Sequence, residues 1–260
     1  MDFLSYKPME PGLYFDLYNN LARGVLLLLA LCIIFFRKKI AASDSEKSIR
    51  IFVTLLVISV EFTGHLAALL DVSLQYFIWC IIPFELCACA LWMSVALCLS
   101  SQKNLFEYLY FWGMGAVAAL IFINSGGSGP DRIRFYQYFF SHGYIVLTII
   151  YFIAVKGYTV SFWGYVRSIG LLLVVGCLIR LFNMRFAAPP FEFNYMFTLR
   201  PPPISSPLDA FGSGWGYFFM YMLLTIVVLS LTYLPWPLVA LISKHTRGTI
   251  KAERLGYFKK

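Results

Sequence analysis

Residues 76–99 read YFIWCIIPFELCACALWMSVALCL, a stretch of membrane-spanning length whose single charged side chain is Glu85. A helix of about 20 apolar residues matches the ~30 Å hydrocarbon core of a lipid bilayer. Similar runs recur along the chain, in which 60% of the residues are hydrophobic and 13% are charged. A soluble domain of this size does not bury so much apolar surface. The sequence therefore predicts an integral membrane protein.

Apolar runs of this length occur seven times. A lone segment in lipid satisfies its backbone hydrogen bonds only as a helix, and the runs lack the period of two that barrel strands show. We therefore predict an all-α, polytopic protein that forms one membrane domain over residues 1–260. The predicted spans cover residues 17–36, 49–70, 76–99, 105–124, 136–155, 163–182 and 215–242, with an outer-side loop at 183–214.

The basic residues predict the orientation, because cytoplasmic loops of membrane proteins are enriched in Lys and Arg. The loop after the first span and the tail after the seventh hold the larger share of the 21 basic residues. We therefore expect a multi-pass cell-membrane protein with its N-terminus outside and its C-terminus in the cytoplasm. The net charge of +8 reflects this topology, so we expect no nucleic-acid partner.

All six cysteines fall inside predicted spans, and none has the paired spacing of a metal site. We therefore expect no metal and no other cofactor. The ordinary role of such residues is to pack between helices. The cysteines are Cys32, Cys80, Cys87, Cys89, Cys98 and Cys177.

Four ionisable residues lie within the spans: Glu61 and His65 on the second, Glu85 on the third and His142 on the fifth. At 1.5 Å per residue they fall in the middle and outer part of the membrane. A carboxylate beside an imidazole can act as a general base or as a proton relay. These four are the candidate catalytic residues. A plainer alternative for His65 is that it binds interfacial water. For Glu61, the alternative is that it pairs with His65 only to lower the free-energy cost of an ionisable side chain in lipid.

Four segments in the second half resemble the YwaF-like family of bacterial integral membrane proteins in order and spacing. They are KNLFEYLYFWG (103–113), RFYQYFFSHGYIVL (134–147), NYMFTLRPPPISSPLDAFG (194–212) and YLPWP (233–237). A distantly similar animal group is linked to phospholipid acyl transfer through an intramembrane Cys and His. The resemblance thus implies a bacterial plasma-membrane protein and a lipid acyltransferase.

The resemblance also implies roles for particular residues. His142 matches the histidine of the family's fifth span, and Asn194, Tyr195 and Arg200 match its outer loop, where they would bind substrate. Arg200 would contact a lipid phosphate. Family members carry a Pro-x-His-x-Cys element on the third span, where this chain has Glu85 at the histidine position.

Two thiols follow Glu85, and a continuous third helix would separate them. Residues two apart on a helix face nearly opposite ways, whereas residues four apart share a face. Cys89 would then lie beside Glu85, while Cys87, which the family element names, would face away. On this geometry, replacing Cys87 with Ala keeps function, whereas replacing His142 or Glu85 with Ala abolishes it.

The predicted function is action on a membrane lipid, by acyl transfer or hydrolysis, at a Glu/His site open to the outer leaflet. Membrane lipids are the expected partners. Two alternatives use the same residues. One is a proton-coupled transporter or carrier, and the other is a non-catalytic factor that binds lipid or a partner protein.

The topology is tested with reporter fusions. A reporter after Lys260 should show a cytoplasmic location, and one inserted in residues 125–129 should show the opposite side, because the basic residues then lie mostly inside. A fusion after Lys39 serves as a second cytoplasmic point. The same location for the Lys260 and 125–129 fusions contradicts the assignment.

Overall fold

A computed structural model of the chain describes residues 2–4, 17–71, 81–123, 128–189, 191–203, 206–239 and 241. Within these ranges the secondary structure is helical, and no strand occurs. Several predictions lie outside the described residues. They are the first part of the third span with Cys80, most of the loop at 125–129, and the basic tail from residue 242 onward.

The helices follow the predicted spans closely. Short 3₁₀ turns lie at Asp2–Leu4, Tyr195–Phe197 and Pro207–Phe211. The α-helices are α1 (Leu17–Phe35), α2 (Arg37–Ala41), α3 (Glu46–Asp71), α4 (Leu86–Ser100), α5 (Lys103–Trp112), α6 (Met114–Ile121), α7 (Ile133–Ala154), α8 (Phe162–Arg185) and α9 (Gly214–Tyr233).

Six helical stretches are long and apolar enough to cross a membrane, and they coincide with six of the seven predicted spans. The protein is therefore an all-helical, multi-pass membrane protein. The stretches are Leu17–Phe35, Glu46–Leu70, Lys103–Ile121, Ile133–Ala154, Phe162–Arg185 and Gly214–Val239. The third of them consists of α5 and α6, which meet at Gly113.

The predicted third span differs from the structure. The sequence predicts one helix over residues 76–99, but residues 82–85, which include Pro83, are not helical and α4 begins at Leu86. Proline lacks an N–H group, and its ring clashes with the carbonyl four residues earlier. Glu85 has the extended backbone of an N-cap residue, with φ −75° and ψ 141°. The described remainder of this span is a 15-residue apolar helix.

Helix α7 is the centre of the bundle. It packs against α1, α3, α4 and α6, whereas α5 packs mainly against α8 and α4. The core between them is built from large apolar side chains such as Leu97, Phe106, Ile145 and Phe152, all fully buried. Most of α1 and α9 is exposed apolar surface, as expected of helices that face lipid.

One end of the bundle carries the segment 186–213, and we call it the loop end. At the opposite end, Glu46 joins the start of α3 to the end of α7. It accepts hydrogen bonds from Arg50 (2.9 Å), Lys156 (2.8 Å) and the Tyr151 hydroxyl. The two cations, Arg50 and Lys156, lie at the end of the bundle that the predicted topology places in the cytoplasm.

A second carboxylate at the opposite end joins α5 to α8. Glu107 is 3% exposed and accepts hydrogen bonds from the Ser161 amide (2.9 Å) and the Arg167 guanidinium (3.1 Å). Gly164 lies so close to this carboxylate that a Cβ atom at that position would overlap it. The glycine therefore makes room for the buried acid.

Replacing Gly164 with Ala should destabilise the protein by about 1–3 kcal/mol, because Glu107 must move away from its donors. Gly170→Ala on the same helix is the matched control, since no atom lies within 4 Å of its added Cβ. Thermal unfolding of both variants in detergent measures the difference. Equal melting temperatures contradict this account of Gly164.

Candidate functional site

A polar cluster joins α3 to α7 in the half of the bundle nearer the loop end. The Ser141 hydroxyl donates a 2.6 Å hydrogen bond to the Glu61 carboxylate. The Nδ1 atom of His65 lies 2.8 Å from the Glu61 carbonyl oxygen and 3.7 Å from its carboxylate. The helices approach closely because Gly64 faces the side chain of Gln137 without a Cβ between them. Glu61 and His65 are thus neighbours, as their spacing predicts.

Ser141 was missed by the sequence reasoning, although it directly precedes His142 in the FFSHGY motif. A serine hydroxyl within a helix has an ordinary role, which is to bond its own backbone. Its bond to Glu61 joins residues 80 positions apart. The one available signal was its place beside a candidate histidine.

His142 faces a different side of α7 from Ser141. Its Nδ1 atom lies 2.7 Å from the Tyr138 carbonyl oxygen, and its ring packs on the Tyr138 ring with centroids 4.3 Å apart. The Tyr138 hydroxyl donates to the Ala119 carbonyl of α6, at 2.6 Å. Because residues four apart share a helix face, His142 lies on the side of α7 that borders α6.

Glu85 binds the loop that closes over the break in the third span. Its carboxylate accepts a 3.0 Å hydrogen bond from the Met196 amide. Next to it, the Phe84 ring makes edge contacts with Tyr195 and Phe182, at centroid distances of 5.5 and 5.1 Å. The loop therefore packs against residues 82–86 and α8 with its aromatic side chains buried.

The three loop residues assigned to substrate binding lie in different surroundings. Tyr195 is fully buried, and both of its backbone groups bond the Asn183 side chain of α8. Asn194 bonds within the loop, to the Leu199 amide and the Arg200 carbonyl. Arg200 is exposed, and its guanidinium lies 3.5 Å from the Glu192 carbonyl oxygen.

The two candidate thiols lie in the first turn of α4. The Cys89 sulfur donates to the Pro83 carbonyl at 3.0 Å. The Cys87 sulfur instead faces α6, 3.5 Å from the position of a Cβ on Gly115. Because Glu85 precedes the helix, the face argument that separated it from Cys87 does not apply, and the expectation that Cys87→Ala keeps function loses its geometric basis.

A cavity of about 50 Å³ lies beside this turn. Leu86 of α4, Met196 and Thr198 of the loop, Gly176 of α8 and Tyr221 of α9 contribute to its mostly apolar lining. Its apolar lining suits hydrocarbon rather than a charged group.

The candidate residues have different partners: Glu61 bonds Ser141, Glu85 bonds the Met196 amide, and His142 packs on Tyr138. Among the residues that the structure describes, no hydrogen bond or ion pair joins Glu85, His142 and Glu61 to one another. In the same part of the chain, no cluster of three His, Cys, Asp or Glu residues could hold a metal ion.

Comparison with known proteins gives one match. A family model described as the TMEM164 family matches residues 17–233, a range that contains all the candidate residues. No curated protein and no solved structure matches the chain.

Replacing Ser141 with Ala should lower stability by about 1–3 kcal/mol, because a carboxylate in the bundle loses its hydroxyl donor. Ser59→Ala on α3 is the control, since that exposed hydroxyl bonds only its own helix, at the Leu55 carbonyl. Thermal unfolding in detergent measures both. A Ser141 variant as stable as the Ser59 variant contradicts the importance of this bond.

Proposed function

The chain belongs to the TMEM164 family, and we propose that it is an integral membrane enzyme that transfers or hydrolyses an acyl chain of a membrane lipid. The observation that carries the proposal is the break in the third span. A helix start, two thiols, a carboxylate and an apolar cavity meet there, within a stretch of membrane-spanning length. We also propose that the chain is similar to the bacterial YwaF-like proteins and lies in a bacterial plasma membrane.

The helix start supplies the electrostatics that acyl transfer requires. The first N–H groups of a helix lack partners within it, and α4 has no side-chain cap. Together with the helix dipole, such groups stabilise a thiolate and the oxyanion of a tetrahedral intermediate. Cys87 lies in this turn. We propose it as the nucleophile, because the Cys89 sulfur is already bonded to the Pro83 carbonyl.

His142 is the proposed general base, and its depth supports this role. Gly113, where α5 and α6 meet, packs against Ile145 and Ile149 of α7, and the Ala119 carbonyl of α6 accepts a hydrogen bond from Tyr138. Gly115, which the Cys87 sulfur faces, lies between Gly113 and Ala119 along α6. The turn of α7 at that depth contains His142.

The proposed reaction has two steps. His142 takes the proton of the Cys87 thiol, and the thiolate attacks the ester carbonyl of a lipid. The lysolipid alkoxide leaves with that proton, and the acyl chain remains as a thioester on sulfur. In the second step His142 deprotonates a lipid hydroxyl or a water molecule, which attacks the thioester and restores the thiol.

The remaining candidates have supporting roles in this proposal. Glu85 holds the Met196 segment against the helix start, and Asn194 and Tyr195 shape the wall of the loop. Arg200, at the exposed edge, would contact a headgroup. Glu61 and His65 belong to α3, which packs on another face of α7, and they would not touch the reacting atoms.

A second candidate function is proton-coupled transport. The polar series between two spans favours it, because such series move protons in transporters: Ser141 bonds the Glu61 carboxylate, and His65 lies 3.7 Å from that carboxylate. A third candidate, a non-catalytic lipid-binding factor, uses the cavity alone. The three differ in what they change. An enzyme alters a lipid, a carrier needs a gradient, and a binding factor does neither.

The enzyme proposal is tested in phospholipid vesicles that hold the purified protein, a deuterated phospholipid donor and a lysolipid acceptor. Cys87→Ala and His142→Gln should each lower acyl transfer by about 100-fold or more, because the nucleophile or the base is lost. Cys89→Ala should retain most activity. Cys177→Ala, an exposed thiol on α8, is the control. Mass spectrometry should detect a hydroxylamine-sensitive acyl adduct on Cys87.

Full activity of the Cys87 variant refutes the thioester route. If the wild type alters no lipid, the enzyme proposal fails. Proton uptake that depends on a gradient and is lost in Glu61→Gln would then support the carrier.

A further inference from the structure

Arg180 is a buried cation near the loop end of α8. It is 3% exposed, and its guanidinium donates a hydrogen bond to the Thr198 carbonyl of the loop. The rings of Trp215 and Phe218, in the first turns of α9, lie 4.2 and 4.7 Å from the guanidinium carbon. The side chain is thus enclosed by α8, α9 and the loop.

The charge of Arg180 is not matched by an acid. Among the residues that the structure describes, no Asp or Glu forms an ion pair with it, and its Nε has no hydrogen-bond partner. Glu46 and Glu107, in contrast, each lie within ion-pair distance of a cation. A buried charge is costly unless it is paired. A guanidinium has five N–H donors, and one carbonyl and two rings leave most of them unused.

Holding the loop in place does not explain this arginine, because a neutral side chain already does so. Asn183, one turn nearer the loop, bonds both backbone groups of Tyr195 and the Thr198 hydroxyl. A second tie to Thr198 could be made by any neutral donor. The positive charge itself therefore requires a reason.

The apolar cavity lies one helical turn from Arg180. Gly176 precedes Arg180 by four residues, so it lies on the same helix face about 6 Å deeper in the bundle. Gly176 lines the cavity, and so does Thr198, whose carbonyl Arg180 binds. Leu86, beside Cys87, lines it from the other side. From the loop end inward, Arg180 comes first, the apolar cavity follows, and the first turn of α4 lies beyond it.

We propose that Arg180 binds the phosphate of a phospholipid that enters between α8 and α9, with a short section of one acyl chain in the cavity beside α4. Arginine suits this role because its planar donors match phosphate oxygens. Trp215 covers one side of the guanidinium and lies where aromatic residues favour the membrane interface. The proposal deepens the proposed function by assigning the residue that would bind the lipid phosphate, and it rests on that function only for the fate of the bound chain.

Binding is measured on the full-length protein in a non-ionic detergent, with a fluorescent-chain phosphatidylglycerol and a diacylglycerol that carries the same chains. Arg180→Gln should weaken phosphatidylglycerol binding by about tenfold or more and leave diacylglycerol binding unchanged. Arg180→Lys, which keeps the charge but not the planar donors, should lie between. Arg185→Gln, an exposed arginine on the same helix, removes an equal charge and should bind as the wild type does.

Two results overturn the proposal. One is unchanged phosphatidylglycerol binding in Arg180→Gln. The other is an equal loss for both lipids, matching the loss in Asn183→Ala, because it shows that Arg180 only supports the loop. Displacement of phosphatidylglycerol by millimolar inorganic phosphate would assign the cation to a free anion and overturn the lipid part.

The binding assay separates this inference from the enzyme proposal. Selective loss of phosphatidylglycerol binding in Arg180→Gln, with no acyl transfer by the wild type, supports the phosphate site and refutes the enzyme. Acyl transfer by the wild type with unchanged phosphatidylglycerol binding in Arg180→Gln supports the enzyme and refutes the site.

Discussion

The hydrocarbon core of a bilayer offers no hydrogen-bond partner to a polypeptide backbone, and this constraint shapes the molecule where its third span breaks. Residues 82–85, which include Pro83, are not helical, and helix α4 begins at Leu86. The loop between α8 and α9 covers the interruption. Its Met196 amide bonds Glu85, and its aromatic side chains pack on Phe84. Without that cover, the irregular backbone would face lipid at a cost of several kcal/mol for each unsatisfied group.

Helix α7 divides the polar chemistry of the bundle between its faces. Toward α3, Ser141 bonds Glu61, and nearer the opposite end the Tyr144 hydroxyl lies 2.8 Å from that of Thr54. Toward α6, Tyr138 and His142 stack on one another. A bond between side chains of two spans fixes their relative depth and rotation, which apolar contacts alone leave less specific. The α3 face is thus suited to holding the bundle together, and the α6 face lies toward the thiols.

The charges differ between the two ends. At the opposite end, Glu46 and Glu107 are each surrounded by donors, and they tie helix ends to one another. Such satisfied groups are sufficiently explained by the stability of the fold. At the loop end, Arg180 is as deeply buried as Glu107 but contacts two aromatic rings and a carbonyl. This contrast within one molecule is the reason for proposing that Arg180 binds a ligand while Glu46 and Glu107 stabilise the fold.

Reading the amino-acid sequence alone predicts the membrane class, six of the spans and the neighbouring positions of Glu61 and His65. Run length and helical spacing are local properties, so they survive folding unchanged. Pro83 predicts an irregular backbone. Whether the helix kinks or stops there depends on which residues cover the backbone groups that the proline leaves without helical hydrogen bonds. That cover comes from residues more than 100 positions later, at Met196. The bond of Ser141 to Glu61 and the enclosure of Arg180 were likewise decided only by the tertiary structure. Each joins segments far apart in the chain, and no periodicity encodes which distant surfaces meet.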